Sequence, residues 1–131
     1  MITVFCTIKQ LSDLFRVDYS TMHRILHQDA ARCPELRKLN RYSLQSVVEL
    51  HKTTAEPLGV DLGTRFLTLH ETREILAQEL APMVYTTVLR KAAKGEIPTV
   101  KFGDTYRVPE FLLHMYIREG RIRVQKKRLQ H

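Results

Sequence analysis

The strongest constraint on the fold is internal, because a block near the start of the chain recurs about half-way along it. Phe5-Cys6-Thr7-Ile8 aligns with Phe66-Leu67-Thr68-Leu69, and Leu11, Leu14 and Phe15 then fall opposite Thr72, Ile75 and Leu76 at a constant offset of 61. Farther on, Thr21-Met22-His23-Arg24 stands opposite Thr87-Val88-Leu89-Arg90, Cys33-Pro34 opposite Ile97-Pro98, and Tyr42-Ser43-Leu44 opposite Tyr106-Arg107-Val108. Such a period is longer than the units that stack into solenoids, so the sequence predicts two tandem domains of one type. A chain of 131 residues is ordinarily one domain, but units of ~55–65 residues fold alone when their core is compact.

Within each copy the apolar spacing is helical first and extended later. Ile8, Leu11, Leu14 and Phe15 form one stripe, with Thr7 and Gln10 spaced as a capping box, and Thr68 and Glu71 repeat that box. Met22, Ile25 and Leu26 give the buried face of a second helix that begins near Tyr19 or Ser20, after a gap of about four residues, short enough for a helix-turn-helix. In the second copy Ile97-Pro98-Thr99-Val100-Lys101-Phe102, Gly103-Asp104 and Thr105-Tyr106-Arg107-Val108 read as a hairpin. Pro109 then opens a closing helix through Phe111, Leu112, Met115 and Tyr116. The first copy follows the same plan, with Leu39-Asn40-Arg41 at the turn and a helix from Gln45 through Val47, Val48 and Leu50. These boundaries give a first domain over 1–52, a linker over 53–64, a second domain over 65–117 and a basic tail over 118–131. The linker carries one Pro and two Gly, but also Leu58, Val60 and Leu62, which can pack on a neighbouring domain.

The net charge of +7 calls for an acidic partner, either nucleic acid or an anionic surface. The excess sits in the first copy and in the tail. No apolar run reaches the ~18 residues of a membrane helix, and the opening residues lack the regions of a signal peptide, so a cytoplasmic, nucleoid-associated protein with no membrane partner is expected. Cys6 and Cys33 are too few for a disulfide framework and are read as thiols. With His23 and His27 they make up a Cys2His2 inventory, but the spacing is not that of a zinc finger. The second copy puts Leu67 and Ile97 opposite the cysteines, which marks apolar core positions. No metal and no cofactor are expected. Glycine-rich phosphate loops and activated Ser or Cys arrangements are also missing, and Glu71, Glu74 and Glu79 read as helix surface, so the chain is not expected to be an enzyme.

The second copy, over about residues 66–117, resembles the winged helix-turn-helix of the excisionase and MerR families. The resemblance rests on Phe66-Leu67-Thr68, Thr87-Val88-Leu89-Arg90, Lys94-Gly95-Glu96-Ile97-Pro98 and Tyr106-Arg107-Val108-Pro109, in that order. The first copy is similar over about 5–51 but has no glycine opposite Gly95 or in its wing turn. The second has five extra residues within 77–86, which lengthen its turn. The resemblance implies a mainly α fold with short β-hairpin wings, two tandem winged helix-turn-helix domains, and sequence-specific binding of double-stranded DNA. It further implies a recombination directionality factor of a phage or integrative mobile element, which self-associates along DNA beside a site-specific integrase. A transcriptional repressor or activator of the same fold, or an adaptor in which one winged domain docks a protein partner, are the competing readings.

A recognition helix needs an apolar face to dock and a polar face that reaches base edges in the major groove. In the first copy the outward set is Tyr19, Ser20, His23, Arg24 and His27, with Arg24 placed to pair bidentately with guanine. In the second, Val84, Val88 and Ala92 are expected to dock, leaving Thr86, Thr87, Arg90, Lys91 and Lys94 outward. Arg37, Lys38 and Arg41, with Lys101, Thr105 and Arg107, are the expected wing contacts to phosphate or minor groove. Arg121 and Arg123 in the tail would add a salt-sensitive term. Two linked weak modules raise each other's effective concentration on DNA.

Overall fold

The computed structural model describes residues 3–124, and these form six α-helices and two small three-stranded antiparallel sheets, a mainly α fold with short β elements. The first half runs β1 (Phe5–Cys6), α1 (Ile8–Phe15), α2 (Tyr19–Arg32), a single 3-10 turn (Pro34–Leu36), β2 (Arg37–Lys38), β3 (Arg41–Ser43) and α3 (Leu44–His51). The second half repeats the order with β4 (Phe66–Leu67), α4 (Leu69–Glu79), α5 (Tyr85–Ala93), β5 (Val100–Phe102), β6 (Thr105–Pro109) and α6 (Glu110–Arg118). Both predicted capping boxes are present: the Thr7 and Thr68 hydroxyls accept from the backbone of Gln10 and Glu71, whose side chains accept in return from the cap N–H. Among the described residues no helix is long and apolar enough to cross a membrane.

Each sheet holds a strand that the two-stranded hairpin reading does not foresee. The opening pair of each half adds to the hairpin's second strand, giving the orders β1-β3-β2 and β4-β6-β5, with Cys6 opposite Tyr42 and Leu67 opposite Val108. The aligned opening motif therefore does two jobs, closing the sheet and then capping the first helix. The gap before α2 is three residues, because Arg16 adopts a left-handed φ of 56° at the end of α1 and Asp18 already caps α2. Phe111, expected on the buried face of the closing helix, is exposed, while Leu112, Leu113 and Tyr116 are buried.

The two halves are fused through a shared core. Phe15 of α1 packs its ring 4.7 Å from those of both Phe66 in β4 and Phe102 in β5, and one continuous apolar cluster takes in Leu11, Met22, Leu26, Val48, Val100 and Leu112. His51, at the end of α3, packs on Phe102 and sets each ring nitrogen against an acceptor: Asp29 Oδ2 at 2.6 Å and the Lys101 carbonyl at 3.1 Å. Lys52 bridges to Val100, and the Thr53 N–H donates to Thr99 O at 2.8 Å. Residues 53–64 are consequently no free tether, since Leu58 and Val60 are buried in the shared cluster while Leu62 stays exposed. A second, smaller cluster around Leu76, Val88, Ile97 and Leu113 belongs to the second half alone.

One surface contact makes stability depend on pH. His114 of α6 faces Glu79 Oε1 at 2.9 Å and Glu110 Oε2 at 3.3 Å, and those carboxylates, Glu79 first, hold its imidazole above the usual 6.5. A raised folded pKa stabilises the fold fully below the unfolded value, and the contribution fades as pH rises through the folded one. The penalty of His114→Ala in denaturant melts is expected to be larger at pH ~6 than at pH ~8, by less than about 1 kcal/mol because the ring is partly solvated. A penalty identical at both pH values would show that the contact is packing alone.

Candidate nucleic-acid interface

Helix α2 is built to present one face. Asp18 caps it by accepting from the Thr21 N–H at 3.2 Å, and Met22, Ile25, Leu26 and Asp29 point into the core. That fixes Tyr19, Ser20, His23, Arg24 and His27 outward, all exposed. Tyr19, His23 and His27 lie four residues apart and form a ladder of rings, with centroids 6.1 Å and 4.2 Å apart. Arg24 stands beside this ladder, and among the described residues it has no ion-pair or hydrogen-bond partner. A planar guanidinium free in this way suits a base edge or a phosphate.

The β2–β3 hairpin stands beside α2 across a groove of about 420 Å³ lined by His27, Ala30, Ala31, Pro34, Arg37 and Leu39. Its two-residue turn is Leu39-Asn40, with Lys38 paired to Arg41 across it. Lys38 and Arg41 are exposed and unpaired among the described residues. Arg37 is partly committed, since its Nε donates to Leu39 O at 2.8 Å and its Nη2 to Asn40 Oδ1 at 3.1 Å, so it braces the turn.

The second half offers less. On α5, Thr86 and Arg90 are exposed and Thr87 is half-buried, and Lys94 is exposed at the position that caps the helix. Lys91 is not on the open face, because its ammonium pairs with Glu96 at 3.2 Å and is largely buried. Val84, expected to dock, is instead exposed as the residue before the helix, and Val88 and Ala92 alone of that trio are buried. Pro82, Met83, Val84 and Val124 line a groove of about 520 Å³ with Thr87, Arg90, Lys91 and Arg123.

The β5–β6 hairpin is turned inward. Arg107 donates from Nε to Phe15 O at 3.0 Å and from Nη2 to Arg16 O at 2.7 Å, and so caps the carbonyl end of α1 from the other half of the molecule. Burial lowers its pKa, but an arginine stays charged at any ordinary pH. Lys101 is exposed and lies over the Tyr106 ring, while Thr105 is half-buried. The expected phosphate contact at Arg107 is thus replaced by a structural one, because the β5–β6 hairpin supplies Val100 and Phe102 to the shared core.

In the tail, Arg121 lies 3.8 Å over the Tyr116 ring and pairs with Glu56, and Ile122 is buried, so this segment is docked on the second half. Arg123 is exposed, and its backbone N–H donates to Glu96 at 2.8 Å. The remaining basic residues of the tail, Lys126, Lys127 and Arg128, lie outside the described residues.

The metal inventory is dispersed: Cys6 is buried in β1 with burial raising its thiol pKa, whereas His23 and His27 are exposed on α2. Among the described residues no group of three or more His, Cys, Asp or Glu is placed to hold a metal. The sequence reading names Tyr19, His23 and His27 as outward residues and Leu39 as a turn residue, but not the stacking of the three rings or the exposure of Leu39. The ladder's spacing of four was visible in the sequence, while the exposure of Leu39 follows from a turn geometry that was not. No known protein family, curated protein or solved structure matches the chain.

Proposed function

We propose that the protein binds double-stranded DNA through two winged helix-turn-helix units fused into one body, with the first half as the principal reading head. The observation that carries this reading is the pairing of an exposed helix face without partners among the described residues (Arg24 beside the Tyr19-His23-His27 ladder) with an outward hairpin bearing Lys38 and Arg41 across one groove. In this reading α2 enters the major groove, Arg24 contacts a base edge, and the β2–β3 wing follows the backbone toward the minor groove. Arg90 and Thr86 of α5, with Lys94 at its end, add a second contact. The net charge of +7 supplies the salt-dependent attraction.

Within this class, the excisionase resemblance supports a recombination directionality factor that acts beside an integrase. A transcriptional regulator would use the same contacts over a promoter. The inward β5–β6 hairpin favours a second reading for the second half alone, as a scaffold or protein-docking adaptor, because its wing is spent on the first half.

The test is a titration against DNA from the protein's genetic neighbourhood at ~50 and ~200 mM salt with random DNA as competitor. Arg24→Ala is expected to weaken specific binding by about 10- to 100-fold, the range for one bidentate base contact, and to leave the melting temperature unchanged. Specific binding by the intact protein that is indifferent to Arg24→Ala would move the reading head elsewhere, and no preference over random DNA would favour the adaptor. If Arg90→Ala binds as tightly as the unsubstituted protein while Arg24→Ala does not, the second half is the adaptor.

A further inference from the structure

Leu39 combines two unfavourable features at one position. It is 86% exposed at the tip of the β2–β3 hairpin, and its φ of 58° lies in the left-handed region that glycine or asparagine occupies far more easily than leucine. Among the described residues no packing offsets either feature. The conformation is held from outside the residue, by the Arg37 guanidinium gripping the Leu39 carbonyl and the Asn40 side chain. A two-residue hairpin turn calls for a positive φ at this position, as Gly103 supplies in the other hairpin, so the fold accounts for the conformation but not for a leucine that adopts it with its side chain exposed.

The surroundings indicate what it works on. Lys38 and Arg41 face each other directly behind the turn, and Arg37 stands one residue farther back, so a single apolar side chain projects from a collar of cations. That arrangement is unsuited to an apolar protein pocket, which would have to desolvate the collar, and complementary to a cleft with anionic walls that can open on to apolar surface. The minor groove of DNA is such a cleft: phosphates line its rims, base edges form its floor, and apolar base faces are exposed where a step is unstacked. We propose that Leu39 is a wedge that enters the minor groove, partly unstacks one base step and bends the duplex, with Lys38 and Arg41 on the flanking phosphates. The proposal rests on the DNA-binding reading and adds to it a residue that deforms DNA without reading sequence.

The experiment compares the full chain with Leu39→Gly and Leu39→Ala on an end-labelled mixed-sequence duplex of about 30 base pairs at low salt, where sequence-independent binding suffices. End-to-end energy transfer reports bending, anisotropy reports binding, and thermal melts report the fold. The unsubstituted protein is expected to bring the duplex ends closer, and 2-aminopurine within the duplex to brighten. Leu39→Gly is expected to bind about tenfold more weakly and leave the duplex straight, while melting at the same or a higher temperature because glycine relieves the positive φ. Leu39→Ala should match its loss of bending without the gain in stability. Binding without bending by the unsubstituted protein, or equal bending by Leu39→Gly, would overturn the wedge and leave DNA binding standing. Bending preserved per bound molecule with loss of cooperativity would also overturn it, in favour of a contact between copies. No binding by any of the three proteins would overturn the DNA-binding reading itself.

Discussion

Phe102→Ala is expected to cost about 3–5 kcal/mol of folding free energy, the range for deleting a fully buried aromatic side chain, and to uncouple the two halves. Phe102 has no exposed surface, and its ring lies 4.7 Å from Phe15 and 4.8 Å from His51. Phe15 belongs to α1, His51 to α3 and Phe102 to β5, so the cavity opens at the junction rather than inside either half. The bonds beside it depend on the same close approach: His51 to the Lys101 carbonyl, and Arg107 to the end of α1. Urea melts followed by circular dichroism and by tyrosine fluorescence should coincide for the unsubstituted protein and separate for Phe102→Ala. Phe111→Ala is the control, since that ring is 43% exposed on α6 and should cost under about 1 kcal/mol. Equal penalties for the two variants, with coincident melts in both, would mean that the halves do not share a core.

How far this arrangement was legible in the sequence depended on whether the information was local. Thr7 with Gln10, and Thr68 with Glu71, specify helix starts within four residues, and both boxes form as read. The stripe Met22, Ile25, Leu26 fixes which face of α2 is buried, and therefore which face carries Arg24. The β5–β6 hairpin was equally legible as a hairpin, because Gly103 supplies the positive φ its turn requires. Its orientation was not. Val100 and Phe102 alternate with Lys101, a pattern that any hairpin with one covered face shows, and nothing within those residues says that the cover is α1 and α3 of the other copy. The same limit explains Arg107, two of whose three carbonyl partners lie more than 90 positions away, and Lys91, whose helical phase puts it outward until Glu96 is folded back beside it. Val84 departs from its reading for a different reason: three of the five extra residues extend α4 to Glu79, and α5 starts at Tyr85, opposite Tyr19, which leaves Val84 at the cap position opposite Asp18 rather than on the helix. Leu39 carries no local signal beyond its place in the turn, because a leucine there is incidental until its φ is known.

Gly95→Ala is expected to be nearly as damaging as Phe102→Ala, and through the backbone rather than through a cavity. Gly95 ends α5 with a φ of 79° and donates its N–H to Ala92 O at 3.2 Å, so an alanine there would adopt a left-handed conformation at a cost of about 1–2 kcal/mol. Conformation is only part of the effect, however. A Cβ on Gly95 would lie 2.5 Å from the Thr53 carbonyl oxygen and 2.7 Å from Thr54 Cα, and these are backbone atoms that cannot rotate away. Thr53 is also the residue that ties the connecting segment to the second half, through its N–H to Thr99 O and its hydroxyl to Ala92 O at 2.7 Å. Displacing it adds an overpacking cost of about 1–3 kcal/mol and strains both bonds. Two further variants separate the contributions. Gly59 has a φ of 58° with nothing within 4 Å of its would-be Cβ, so Gly59→Ala carries the conformational cost alone. Gly95→Asn tolerates the left-handed φ but brings the same Cβ against Thr53. The expected order of destabilisation in denaturant melts is Gly95→Ala, then Gly95→Asn, then Gly59→Ala. If Gly95→Asn is as harmless as Gly59→Ala, the segment after α3 yields freely. Gly95 would then serve the end of α5 alone, rather than also the seam on which the fusion of the two halves depends.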